Sequence, residues 1–170
     1  MTTQQFRNAA IRIYAAEMGL EGACVGVTQQ QLKDGYENMK ISTDANLRGA
    51  AHDFLCAGPL GDPQMLLQRP DDPLVIEWKA KALDYLRKAA ESGDRLAMGD
   101  LSLIYRDSDM VAADPVESLG YAIAQDQLAQ RAGDNGLTGF LTIRLKEATP
   151  AQVEAANAKA RQLLDRCCTK

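Results

Sequence analysis

Lys81–Tyr105, KALDYLRKAAESGDRLAMGDLSLIY, reads as two helices joined by a tight turn at Glu91-Ser92-Gly93-Asp94. On a helical wheel of about 100° per residue, Val75, Trp78, Ala82, Tyr85, Leu86 and Ala89 share one arc, and Glu77, Lys81, Asp84, Arg87, Lys88 and Glu91 lie opposite. That pattern predicts an amphipathic first helix with one buried stripe. Pro73 suits its first turn, where a missing N–H costs nothing. Gly93 is the residue that takes a left-handed conformation after the helix, and Asp94 can cap the next one. In the second helix, about 95–105, Leu96, Ala97, Met98, Leu101, Leu103, Ile104 and Tyr105 spread around most of the wheel. The expectation is a helix buried on most sides, with Gly99 and Ser102 allowing neighbours to approach closely.

This stretch resembles the helix-turn-helix unit of Sel1-like repeats, a TPR-related α-solenoid family, most clearly over residues 81–121. The family pattern is a Lys-Ala pair, an aromatic, an Ala-Ala pair, a Gly-Asp turn, an alanine, Leu-Gly and a tyrosine. Here these are Lys81-Ala82, Tyr85, Ala89-Ala90, Gly93-Asp94, Ala97, Leu101-Ser102 and Tyr105. Ser102 stands where the family has glycine, and Asp107, Ser108 and Asp109 replace the glycines of the following loop. Tyr121 comes 36 residues after Tyr85, the repeat length of such arrays, while Gly133-Asp134 follows Gly93-Asp94 by 40. The second unit therefore carries a short insertion. The resemblance implies an all-α fold of stacked helical hairpins and a non-catalytic adaptor or scaffold that binds another protein or peptide. Solenoids of this kind present an extended surface to their ligands. Polar residues of the internal helix are then the groove candidates: Arg95, Asp100 and Arg106.

Around that centre the chain reads as a single all-helical domain. Residues 1–56 form an atypical first unit, with an amphipathic helix over 4–20, a loop holding Cys24, a short helical piece near 29–39 and a helix over 45–56. Ser42, Thr43 or Asp44 is expected to cap the last of these. Residues 57–73 are a Pro/Gly-rich ordered connection, with one short helical turn around Met65-Leu66-Leu67. Residues 74–133 carry the repeat units. Residues 134–170 are C-terminal capping helices: one capped by Asp134 or Asn135 and carrying Leu137, Phe140, Leu141 and Leu145, then one opened by Thr149-Pro150-Ala151-Gln152, a capping box. Asp114-Pro115 opens the helix before them, in which 121–131 shows no narrow apolar stripe.

The 170 residues carry a net charge of −4 and no Lys/Arg run, which argues against nucleic acid and anionic membrane surfaces. No apolar stretch is long enough to span a bilayer. Arg7, Arg12 and Glu17 interrupt any secretory signal core. The chain is expected to work in the cytoplasm or, by preference, as a periplasmic or secreted bacterial protein whose leader has been removed.

The four cysteines, Cys24, Cys56, Cys167 and Cys168, have no metal-ligand spacing, and there is a single histidine, so neither a metal nor a cofactor is expected. Cys24 in a loop and Cys56 at a helix end suit either a disulfide staple or two reduced thiols. A bridge over that 32-residue separation would add about 3–4 kcal/mol on the chain-entropy model and favour an oxidising compartment. Cys167 is expected to pack and Cys168 to lie at the edge of the last helix's apolar face, unbonded to each other. His52 and Cys56, four residues apart, form a thinkable nucleophile pair without an orienting third group. An enzyme built on them ranks below an adaptor, and below an inhibitor or immunity-type regulator of one target. The acidic residues Asp107, Asp109 and Asp114 lack the spacing of an EF-hand loop.

Overall fold

The computed structural model describes residues 29–107, 110–134 and 138–168. The expected helix over 4–20 and the loop holding Cys24 lie outside them. The chain divides into two compact units, Met1–Gly35 and Tyr36–Lys170. Of the first, the described part is the beginning of a helix.

The described residues are all-helical. The elements are α1 (Gln29–Asp44), α2 (Ala50–Ala57), a 3-10 turn (Pro59–Gly61), α3 (Met65–Gln68), α4 (Pro73–Glu91), α5 (Arg95–Asp107), α6 (Pro115–Arg131), α7 (Thr138–Glu147) and α8 (Pro150–Cys167). α5 packs between α4 and α6, and α8 packs on both α6 and α4.

The starts of α4, α5, α6 and α8 follow the sequence reading, because caps are local chemistry; the expected cap of α7, Asp134 or Asn135, adjoins residues 135–137, which lie outside the described residues. Asp72 accepts the N–H of Leu74 ahead of Pro73, and Asp114 accepts those of Val116 and Glu117 ahead of Pro115. Thr149 and Gln152 exchange both bonds of a capping box. Gly93 has φ 89°, and Asp94 accepts the N–H groups of Leu96 at 2.9 Å and Ala97 at 3.3 Å. The short helical turn expected within 57–73 is α3, anchored by buried Met65.

One start differs. Ser42, Thr43 and Asp44 do not open a helix; they close α1. The hydroxyls of Ser42 and Thr43 donate back to the carbonyls of Asn38 and Met39, and Asp44 accepts from the Tyr85 hydroxyl. Asn46 and Gly49 adopt positive φ (50° and 82°), so the chain turns before α2 begins at Ala50.

The core gathers Phe54, Val75, Leu86, Met98 and Leu101, all fully buried, with small residues from α6 and α8. Tyr85, Ala89, Ala97, Leu101, Tyr105 and Tyr121 are all buried, and the rings of Tyr105 and Tyr121 stack with centroids 6.0 Å apart. Apolar content on a wheel overstated the burial of α5. Leu96 and Leu103, seven residues apart on one stripe, are 53% and 48% exposed, because α4 and α6 cover the other sides. The helix enclosed on most sides is α6, where Ser118 to Ala124 are buried without interruption. That is the physical reason its wheel lacks a narrow stripe. Gly99 acts as expected, and Gly120 of α6 does the same. A Cβ on Gly99 would stand 2.7 Å from the Gln125 amide nitrogen, and one on Gly120 would stand 2.7 Å from the Lys159 side chain.

Candidate functional site

The three groove candidates do not converge. Arg95 and Arg106 stand at opposite ends of α5, about 16 Å apart at 1.5 Å per residue. Arg95 pairs with Asp134 at 2.7 Å, Asp100 with His52 at 2.8 Å, and Arg106 donates to Asp107 at 3.1 Å. Each leads to a different neighbourhood.

Asp100 supplies what the sequence lacked beside His52 and Cys56. With its Nδ1 protonated, His52 donates to the Asp100 carboxylate at 2.8 Å and turns Nε2 toward the Cys56 sulfur, 3.5 Å away. Thiol, imidazole and carboxylate therefore stand in line, the carboxylate reaching across from α5 to α2. The electrostatics run against a nucleophile. Partial desolvation, then the charges of Asp100 and Asp53, push the Cys56 thiol up from its ordinary value. Cys56 also sits in the last turn of α2, where unpaired carbonyls disfavour a thiolate. Burial pushes the Asp100 carboxyl up as well, with the His52 hydrogen bond opposing it. Cys56 is a free, exposed thiol; Cys24, its candidate disulfide partner, lies outside the described residues.

A second neighbourhood forms where the C-terminal end of α5 meets the starts of α6 and α8 and the end of α7. It is a cavity of about 420 Å³. Tyr105, Pro115, Leu119, Ile143 and Ala148 give it apolar walls; Arg106, Arg144 and Glu147 give it charge. Arg144 is fixed there by two hydroxyls. Its guanidinium donates to Ser102 Oγ at 2.8 Å and to Ser118 Oγ, and Ser118 in turn donates to the Ser102 carbonyl at 2.6 Å. Both serines are buried, 4% and 0% exposed. Burial, then the neighbouring Arg106, lowers the Arg144 pKa, while Asp107 and Glu147 raise it.

Arg106 is the one groove candidate that lines this cavity. Arg144 and Ser118 escaped the sequence reading, although a signal existed. Ser102 stands where the repeat pattern has glycine, and Ser118 stands 36 residues after Ala82, in the place of its alanine. These two departures from the pattern supply the two hydroxyls that hold the arginine.

No family model matches the chain, and neither a curated protein nor a solved structure matches it. Among the described residues, no group of three His, Cys, Asp or Glu side chains could hold a metal ion, and no helix is long and apolar enough to cross a membrane.

Proposed function

We propose that this chain is a non-catalytic protein-interaction module of the Sel1-like, TPR-related solenoid type, and that it docks a segment of another protein at the cavity between α5, α6, α7 and α8. The observation that carries this reading is Arg144, held on two buried serine hydroxyls at the edge of an apolar-walled cavity. A guanidinium already fixed in place loses little entropy when it meets a carboxylate or a row of carbonyls. The exposed Ile143 beside it offers apolar contact. Support for the repeat reading comes from the two interhelical turns. The N–H groups of Asp94 and Asp134 bond to the carbonyls of Ala89 and Ala129, and those of Gly93 and Gly133 bond to Ala90 and Gln130.

A photoreactive residue at Ile143 tests the docking site, with one at the equally exposed Ile76 as control. The reading expects a discrete partner crosslinked from Ile143, absent from Ile76, and reduced when Arg144→Gln is added. Identical crosslinks from both positions would sink it.

The Cys56, His52 and Asp100 line favours a second reading, an enzyme with a Cys/His site. Its test is the alkylation rate of Cys56 in His52→Ala. A base that activates the thiol predicts a fall of about a hundredfold. The interaction module predicts a rate within a small factor of the parent, set by the raised thiol pKa.

A further inference from the structure

Cys167 and Cys168, expected to be unbonded, are joined to each other by a disulfide. The consequence for the helix follows from elementary geometry. Neighbouring residues of an α-helix project about 100° apart and do not face each other. A disulfide needs Cβ atoms about 3.5–4.5 Å apart. A bonded neighbouring pair therefore cannot lie wholly within a helix. In accord with this, α8 stops at Cys167, and Cys168 leaves the helical region with φ −139° and ψ 23°.

The pair rests on the α4–α5 turn. A Cβ on Gly93 would stand 3.3 Å from Cys168 Sγ and 3.7 Å from Cys167 Sγ. One residue earlier in α8, Arg166 pairs with Glu91 of the same turn at 2.8 Å. Both cysteines are half-buried, so the sulfurs are packed against the turn without being sealed from solvent.

We propose that Cys167 and Cys168 are a reversible dithiol–disulfide site for small-molecule thiols and disulfides, and that its state sets where α8 ends against the Gly93 turn. In reduction, the thiolate of a small monothiol attacks one of the two sulfurs. The Cys167–Cys168 bond breaks, a mixed disulfide forms, and the other cysteine leaves as a thiolate that takes a proton. A second monothiol attacks the mixed disulfide, releases the remaining cysteine and departs with the first as their disulfide. Two electrons pass from the small thiols to the pair. The reverse sequence restores the bond and consumes the oxidised small molecule. The dithiol no longer forbids helical geometry at Cys168, whose N–H already bonds to the Leu164 carbonyl at 3.0 Å.

The test uses the full chain, equilibrated with graded ratios of a small monothiol and its disulfide. The samples are quenched in acid, and the liberated thiols are alkylated and located by mass spectrometry. The expected result is that Cys167 and Cys168 gain one label each, together and reversibly, while Cys56 follows a separate course. Backbone chemical shifts over 164–168 should become helical at Cys168 in the dithiol, and the double variant Cys167→Ser, Cys168→Ser should match them without any reductant. Labels on both cysteines at every ratio, or no labels until the protein unfolds, would overturn the exchange site. Identical shifts at Cys168 in both states would overturn its control of the helix end.

Discussion

Two turns of this protein share a backbone and differ in nearly everything around it. Glu91–Asp94 ends α4 and Arg131–Asp134 ends α6. In each, the residue before glycine bonds back to two carbonyls, and the glycine takes a positive φ, 89° or 79°. The first turn is crowded. Asn46 donates to Ser92 at 2.7 Å, Arg166 meets Glu91, the cysteine pair rests on Gly93, and Asp94 is 8% exposed. The second turn is exposed throughout, and a Cβ on Gly133 would meet none of the described residues within 4 Å. The shape of a turn is thus a local matter, settled by a glycine that accepts the left-handed region. Its worth to the fold is a tertiary matter, settled by what packs on it.

The largest effect should come from Asp94→Ala. This carboxylate accepts two N–H groups of α5 through one oxygen and the Gly49 N–H at 2.7 Å through the other. Losing a cap costs about 1–2 kcal/mol, and leaving a part-buried N–H unpaired adds about 1–3 kcal/mol. A loss of about 2–5 kcal/mol in denaturant-unfolding stability is expected, and one below about 1 kcal/mol would break the claim that the first turn is a tie point. Next come the glycines. Alanine at either site meets left-handed strain of about 1–2 kcal/mol. Only at Gly93 does it also press on the Cys168 sulfur at 3.3 Å. Gly93→Ala should therefore destabilise more than Gly133→Ala. The excess should shrink when Cys167 and Cys168 are both serine. Equal losses in the parent background would show that the cysteines do not bear on the turn.

Much of this comparison was legible in the sequence. As turn and cap residues, Gly93, Asp94, Asp114-Pro115 and the Thr149–Gln152 box act within three residues of themselves, so local pattern suffices to find them; the bond from the Gly49 N–H to Asp94, 45 residues away, has no such signal. Reading 45–56 as one helix failed because Asn46 and Gly49, the residues that tolerate positive φ, were absorbed into a periodic apolar run. Leu96 and Leu103 failed for another reason: a wheel shows which residues share a side but not which side a neighbour covers. The end of α8 differs from its wheel because two adjacent cysteines joined by a disulfide are not two independent helical positions. The site was legible only in fragments. Ser102 stood out as a departure from the repeat pattern, but nothing local announced Arg144, 42 residues away, as its partner. Asp100 was singled out as a groove residue, whereas its partner His52 lies 48 residues back and on another helix.

The smallest effect is expected at Asp134, and it sharpens the contrast most. Asp134 shares its place after the glycine with Asp94, yet its carboxylate is 57% exposed and accepts from Arg95 at the surface at 2.7 Å. An exposed pair of this kind contributes about 0.2–1 kcal/mol once its own ordering is subtracted. A double-mutant cycle on Arg95→Ala and Asp134→Ala isolates that coupling from any other role of either side chain. The coupling should lie within that range and fade as salt is raised, because exposed charges are screened over about 10 Å at moderate ionic strength. Should it exceed about 1 kcal/mol and persist at high salt, the Arg95–Asp134 contact would be as strong a tie as the caps. The second turn would then be held by its charge as firmly as the first is held by its packing.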